Sequence, residues 1–153
     1  TIWGWYSLPF VAPPPDNFRV EIRVLSTQMG ESSLSLCREP DGQVVAEVVH
    51  PVFLSNPERL SGKLPVEIAN DIWTDLTSAT SGYKGGGKLK SGVMDHCRYD
   101  LRLVADGKEV GNFSSVFAHG DSEMRVIEAI DRAEGLVREK LRTNAAIDAT
   151  PTI

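Results

Sequence analysis

The chain has 153 residues, 41% of them hydrophobic and 24% charged, the balance of one soluble globular domain large enough to bury its own core. Sixteen basic residues against 21 acidic ones leave a formal net charge of −5 at pH 7. That charge excludes general nucleic-acid binding, which needs a concentrated positive field to displace counterions, and the short apolar runs exclude a membrane span. The chain opens at Thr1 with no basic leader, as expected of a fragment or processed product, so it is read as soluble, either cytoplasmic or exported after removal of a leader. Two cysteines, Cys37 and Cys97, do not make a disulfide framework.

Residues 1–16, TIWGWYSLPFVAPPPD, gather Trp3, Trp5, Tyr6, Leu8 and Phe10 ahead of Pro13-Pro14-Pro15. Consecutive prolines fix φ and remove donors, so the stretch reads as an apolar arm on a stiff, extended spacer. Trp3, Trp5, Tyr6 and Phe10 then pack on the arm's own domain or dock on a partner.

The domain proper covers 17–142. Phe18, Val20, Ile22 and Val24 alternate with Arg19, Glu21 and Arg23, which predicts a half-buried strand from Phe18 to Leu25. A hairpin follows, with strands from Ser33 to Arg38 and from Gln43 to about His50. Its loop carries proline where φ near −65° is wanted and glycine where the chain turns left-handed. A three-residue loop pairs Leu36 with Ala46 and Leu34 with Val48 on one face, and leaves Cys37 on the other.

Val66, Ala69, Ile72, Trp73 and Leu76 recur at three- and four-residue spacing, predicting a helix over 65–78 with Pro65 in its first position. A glycine-rich basic loop occupies 80–92. The second hairpin runs from Cys97 to Val104 and returns from Glu109 to Phe117. With a three-residue loop, Tyr99 faces Phe113 and Leu101 faces Gly111; a two-residue Asp106-Gly107 loop sets Phe113 against Asp100 and spoils the face. A second helix runs from Asp121 to about Arg142, with Met124, Ile127, Ile130, Ala133, Val137 and Leu141 in its stripe. Glu128–Arg132 and Glu134–Arg138 are i,i+4 pairs, and Gly135 marks a close packing contact. Residues 143–153 are expected to form a flexible tail.

These elements predict an α+β two-layer sandwich: an antiparallel sheet of about five strands with two helices on one face, in the order β-β-β-α-β-β-α. That order is similar to that of type III secretion chaperones without their first helix, a likeness of element order that assigns no residue a role.

No stretch carries a catalytic signature. Gly82-Tyr83-Lys84-Gly85-Gly86-Gly87-Lys88-Leu89 satisfies the phosphate-loop spacing, but Leu89 stands where a magnesium-holding hydroxyl is needed, and a helix precedes the stretch where a strand is required. Cys37, Cys97, His50, His96 and His119 show no metal-ligand spacing, so no metal or cofactor is expected. Asn112-Phe113-Ser114 matches a glycosylation sequon inside a strand, where acceptors are poor.

The face away from the helices is informative. It carries Arg19, Glu21, Arg23, Glu47, Arg98, Asp100 and Arg102 together with Val45, Val49, Val104, Val110 and Val116. Apolar residues among the charges of an exposed face mark an interface. The sequence therefore points to a non-catalytic protein-binding module, of inhibitor, immunity or chaperone-like kind. Its contact residues are expected in the sheet face (Arg98, Arg102, Val110), the arm, or the glycine-rich loop (Tyr83, Lys84, Lys88), with a protein partner or self-association implied. The alternative is a small enzyme using His96 or His119 in a cleft beside the 82–92 loop.

Overall fold

A computed structural model describes residues 13–26, 29–83, 97–115 and 121–149. They form β1 (Phe18–Ser26), β2 (Gly30–Arg38), β3 (Val44–His50), β4 (Glu58–Leu64), α1 (Val66–Ser81), β5 (Cys97–Ala105), β6 (Lys108–Ser115) and α2 (Asp121–Ala149). The six strands make one antiparallel sheet in the order β4-β3-β2-β1-β5-β6, with both helices packed on a single face. The fold is the α+β sandwich that the periodicities predict, with one strand more than expected.

That strand is β4. Leu60, Gly62 and Leu64 pair with Val48, Ala46 and Val44 on the core side, while Arg59, Ser61 and Lys63 are exposed. The glycine hides the alternation, and Leu141 of α2 packs over it: a Cβ on Gly62 would stand 3.4 Å from Cδ2 of Leu141, in van der Waals contact. β4 completes a four-strand meander, and α1 then carries the chain across the sheet so that β5 pairs with β1 on the far side.

Phe18, Val20 and Ile22 in central β1 are at most 1% exposed, and Phe18 stacks on Trp73 of α1 with ring centroids 4.6 Å apart. Pro65 is the N-cap of α1, with extended backbone, rather than its first helical residue. The first hairpin has the expected register, Leu36 against Ala46 and Leu34 against Val48, closed by Gly42 at φ 89°. Behind it, Arg38 donates to the carbonyl of Pro15 at 2.9 Å and so ties down the end of the proline spacer.

The second hairpin differs from expectation. Asp106 and Gly107 sit at φ 51° and 77° in a two-residue turn, so Ala105 pairs with Lys108 and Val104 with Glu109. A bulge then absorbs Val110, and the register resumes with Leu103 against Gly111, Leu101 against Phe113 and Tyr99 against Ser115. The turn has two residues and not the three expected, and the bulge restores the parity that keeps Phe113 in the core.

Helix α2 runs to Ala149, seven residues beyond Arg142. Met124 is 40% exposed and lies off the buried stripe, which is Val126, Ile127, Ala129, Ile130, Ala133, Val137 and Leu141. Gly135 marks no close contact, since a Cβ there would meet nothing within 4 Å. Arg132 reaches across to α1 and holds Asp75 in two 3.0 Å bonds, with the Glu128 charge also acting on it. Neither helix, over its described residues, is long and apolar enough to cross a membrane.

Candidate functional site

The sheet face opposite the helices has no described element over it. Arg98 and Arg102 of β5 stand there, half exposed, each beside a carboxylate. Arg102 lies 3.5 Å from Glu21 on β1 and 3.8 Å from Glu109 on β6, and Arg98 lies 3.2 Å from Asp100. Arg23 donates to Glu31 at 2.6 Å, and Ser114 donates to Asp100 at 2.6 Å. Side chains on alternate positions of neighbouring antiparallel strands place these opposite charges together, so the face carries specific polarity but little net field. Arg23, Leu25, Glu31, Arg98 and Asp100 surround a shallow cavity of about 210 Å³ with Leu25, 50% exposed, among them.

At the same end of the sheet the surface turns apolar. Met29, in the β1–β2 connection, is 47% exposed. Beside it, in the β3–β4 connection, Val52, Phe53 and Leu54 are 44%, 70% and 91% exposed. The two connections meet where a Cβ on Gly30 would lie 3.9 Å from Cβ of Pro51. Leu54 has φ 57°, a conformation unfavourable for a branched apolar residue, and Ser55 donates its N–H to the carbonyl of Val52 at 3.2 Å to close the turn. Sequence reading passed over this tip because three apolar residues in a short connection have no periodicity.

Val110 and Tyr83 come together elsewhere. The bulge takes Val110 out of the row of Arg98 and Arg102 and places it at the β6 edge, beside the C-terminal end of α1. There Thr77, Thr80, Ser81, Tyr83, Leu103, Val110, Gly111 and Asn112 line a cleft of about 430 Å³. Tyr83 packs edge-on against Phe113 at 4.9 Å, and burial, followed by the charge of Glu123, raises its phenol above the usual range. Gly82 closes α1 as its C-cap, its N–H bonded to the carbonyl of Thr80. Trp3, Trp5, Tyr6, Phe10, Lys84, Lys88, His96, Val116 and His119 lie outside the described residues.

A buried polar cluster is a feature sequence reading missed. Glu134 lies on the core side of α2 between Ile130 and Val137. Its Oε1 accepts the Ser32 hydroxyl at 2.8 Å and lies 2.9 Å from Nδ1 of His50, with Arg138 at 4.0 Å. Neighbouring Glu58, the register partner of His50, accepts two bonds from Arg142 at 2.6 and 3.0 Å, which hold its carboxyl below the usual range. On α2, Asp131 is exposed at the surface, yet partial desolvation by its neighbours and then the charges of Glu134 and Glu128 raise its carboxyl above the usual range. Burial first, with Asp131, Cys97 and Glu134 adding to it, pushes the Tyr99 phenol up to about 12. Ser32 gives its proton to the carboxylate and not to the imidazole, so the three groups do not form a nucleophile–base relay. They clasp β2 and β3 to α2. The readable signal was a glutamate on an apolar stripe, which requires a buried partner.

Both cysteines are free: Cys97 is opposite Ser26, and Cys37 is opposite Arg19. The Cys37 thiol donates to Glu39 at 3.6 Å, and burial raises its pKa, the opposite of a reactive thiolate. Among the described residues no group of three or more His, Cys, Asp or Glu side chains is arranged to hold a metal ion. No protein-family model matches the chain, and no curated protein matches its sequence.

Proposed function

We propose that the chain is a non-catalytic protein-binding module that meets its partner with the open sheet face and the apolar tip at the end of that face. The observation that carries this reading is the tip itself. Val52, Phe53 and Leu54 are consecutive, largely exposed and outside the core. Consecutive exposed apolar side chains are a liability in a solvated loop and an asset in a contact. The positive φ of Leu54 adds local strain, retained where a side chain serves something other than the fold. The Leu25 cavity continues the apolar surface onto the sheet, and the paired arginines around it give the contact a polar rim.

Two experiments test the reading. A photo-crosslinking p-benzoylphenylalanine at position 53 should yield one discrete protein adduct in extract of the native source, and none when placed at Glu139 on exposed α2. Leu54→Gly should leave the unfolding midpoint unchanged or higher, because glycine accepts this φ, and should weaken formation of that adduct. Equal adducts from both positions, or none from position 53, would sink the proposal.

A further inference from the structure

The two edges of the sheet are managed differently. β4 carries Glu58, Arg59 and Lys63 along its length, and α2 caps it where the Asn144 amide donates to the Lys63 carbonyl at 3.2 Å. Charges and a capped carbonyl keep another strand from adding to that edge. β6 has Lys108 and Glu109 only before its bulge. Beyond the bulge, Gly111–Ser115 carries no charge and no proline, and among the described residues no backbone group bonds to its outer edge. An open edge presents alternating N–H and C=O groups at strand spacing, and the ligand that satisfies that row is an extended polypeptide.

The cleft beside this edge specifies a side chain. Its apolar floor is Leu103 and Val110, open to the edge because Gly111 has no side chain. Its wall is the last turn of α1, whose hydroxyl protons are already committed. Thr77 donates to the Trp73 carbonyl at 2.8 Å, Thr80 to Leu76 at 2.9 Å and Ser81 to Ser78 at 2.9 Å. Those hydroxyls keep only lone pairs for a ligand, so they select a group with an apolar body and a donor at its tip. Tyrosine and tryptophan have that form.

We infer that β6 takes an extended segment of a partner protein as a seventh strand, with a tyrosine or tryptophan of that segment seated in the cleft between β6 and α1. This rests on the reading of the chain as a protein-binding module but uses a different surface from the tip, so crosslinking at position 53 and strand addition at β6 succeed or fail separately.

The probe is the alternating peptide acetyl-Thr-Val-Thr-Tyr-Thr-Val-Thr-amide, with its Tyr→Ala counterpart as control, followed by hydrogen exchange and calorimetry on the full chain. The tyrosine peptide should slow exchange in Gly111–Ser115, leave Glu58–Leu64 unchanged, and bind about tenfold more tightly than the alanine peptide, a difference of about 1.4 kcal/mol. Thr80→Val should reduce that preference, and Val110→Asp should abolish binding. The inference is overturned if Gly111–Ser115 is already protected in the free chain. Protection that grows with protein concentration alone would assign the edge to a second copy and equally overturn it, as would binding without preference for tyrosine, or no binding at millimolar peptide.

Discussion

Ser32 and His50, on neighbouring strands of the sheet, meet on the same carboxylate oxygen of Glu134, at 2.8 and 2.9 Å. A buried acceptor shared by two donors is replaced poorly by an apolar group, since removing it strands both partners. Glu134→Ala should therefore cost about 2–3 kcal/mol of stability and Ser32→Ala about 1 kcal/mol, read from urea unfolding midpoints. Because the three groups form one network, the Ser32→Ala, Glu134→Ala double variant should lose less than the sum. Additivity would show that the shared oxygen does not couple them.

Two glycines give opposite outcomes on substitution by alanine. At Gly135 on α2 the added methyl meets nothing within 4 Å, so only helix propensity counts, and stability should rise by roughly 0.5–1 kcal/mol. At Gly111 the same methyl would lie 3.0 Å from Cδ1 of Leu103, a fully buried side chain, and overpacking should cost about 1–2 kcal/mol. Thermal unfolding of both variants in one buffer is the check.

Two carboxylates should set opposing pH dependences. Arg142 lowers the Glu58 pKa, so the stability Glu58 contributes is complete above its unfolded value near 4.5 and is lost as pH falls through the lower folded value. Glu58→Gln should thus lower the unfolding midpoint at pH 7, and the effect should fade as pH falls through the lowered folded value. Partial desolvation, with the charges of Glu134 and Glu128, raises the Asp131 pKa, so its cost to stability appears as pH rises from the unfolded value near 3.8 through the higher folded value. Asp131→Asn should raise the midpoint at pH 7 and leave it unchanged in acid. Melts across pH 2–8 separate the two.

The elements legible in the sequence are those whose patterns repeat. β1 shows in the alternation of Phe18, Val20 and Ile22, and α1 in the spacing of Ala69, Ile72, Trp73 and Leu76. β4 escaped because Gly62 takes a core position that Leu141 fills from another element, a relation with no local trace. Constant parity along β6 predicts the wrong register for the second hairpin, because the bulge at Val110 leaves no mark in the alternation. The tip at 52–54 and the Glu134 cluster went unread for a shared reason: each is defined by what surrounds it in space. Arg98 and Arg102 are on the open face as expected, whereas Val110 is carried to the cleft by the bulge.

That bulge has a consequence for how the chain tolerates changes of length. Deleting a residue from a regular strand inverts every side chain beyond it, yet deleting Val110 removes the one residue of β6 that opposes none on β5. The shortened strand keeps Glu109 outside, Gly111 against Leu103 and Phe113 in the core. Such a deletion should fold with an unfolding midpoint within a few degrees of the parent, whereas insertion of one residue beside Val110 should not. The hairpin thus holds a spare position: β6 can lose one residue without exchanging its two faces, while the cleft gives up the Val110 part of its apolar floor.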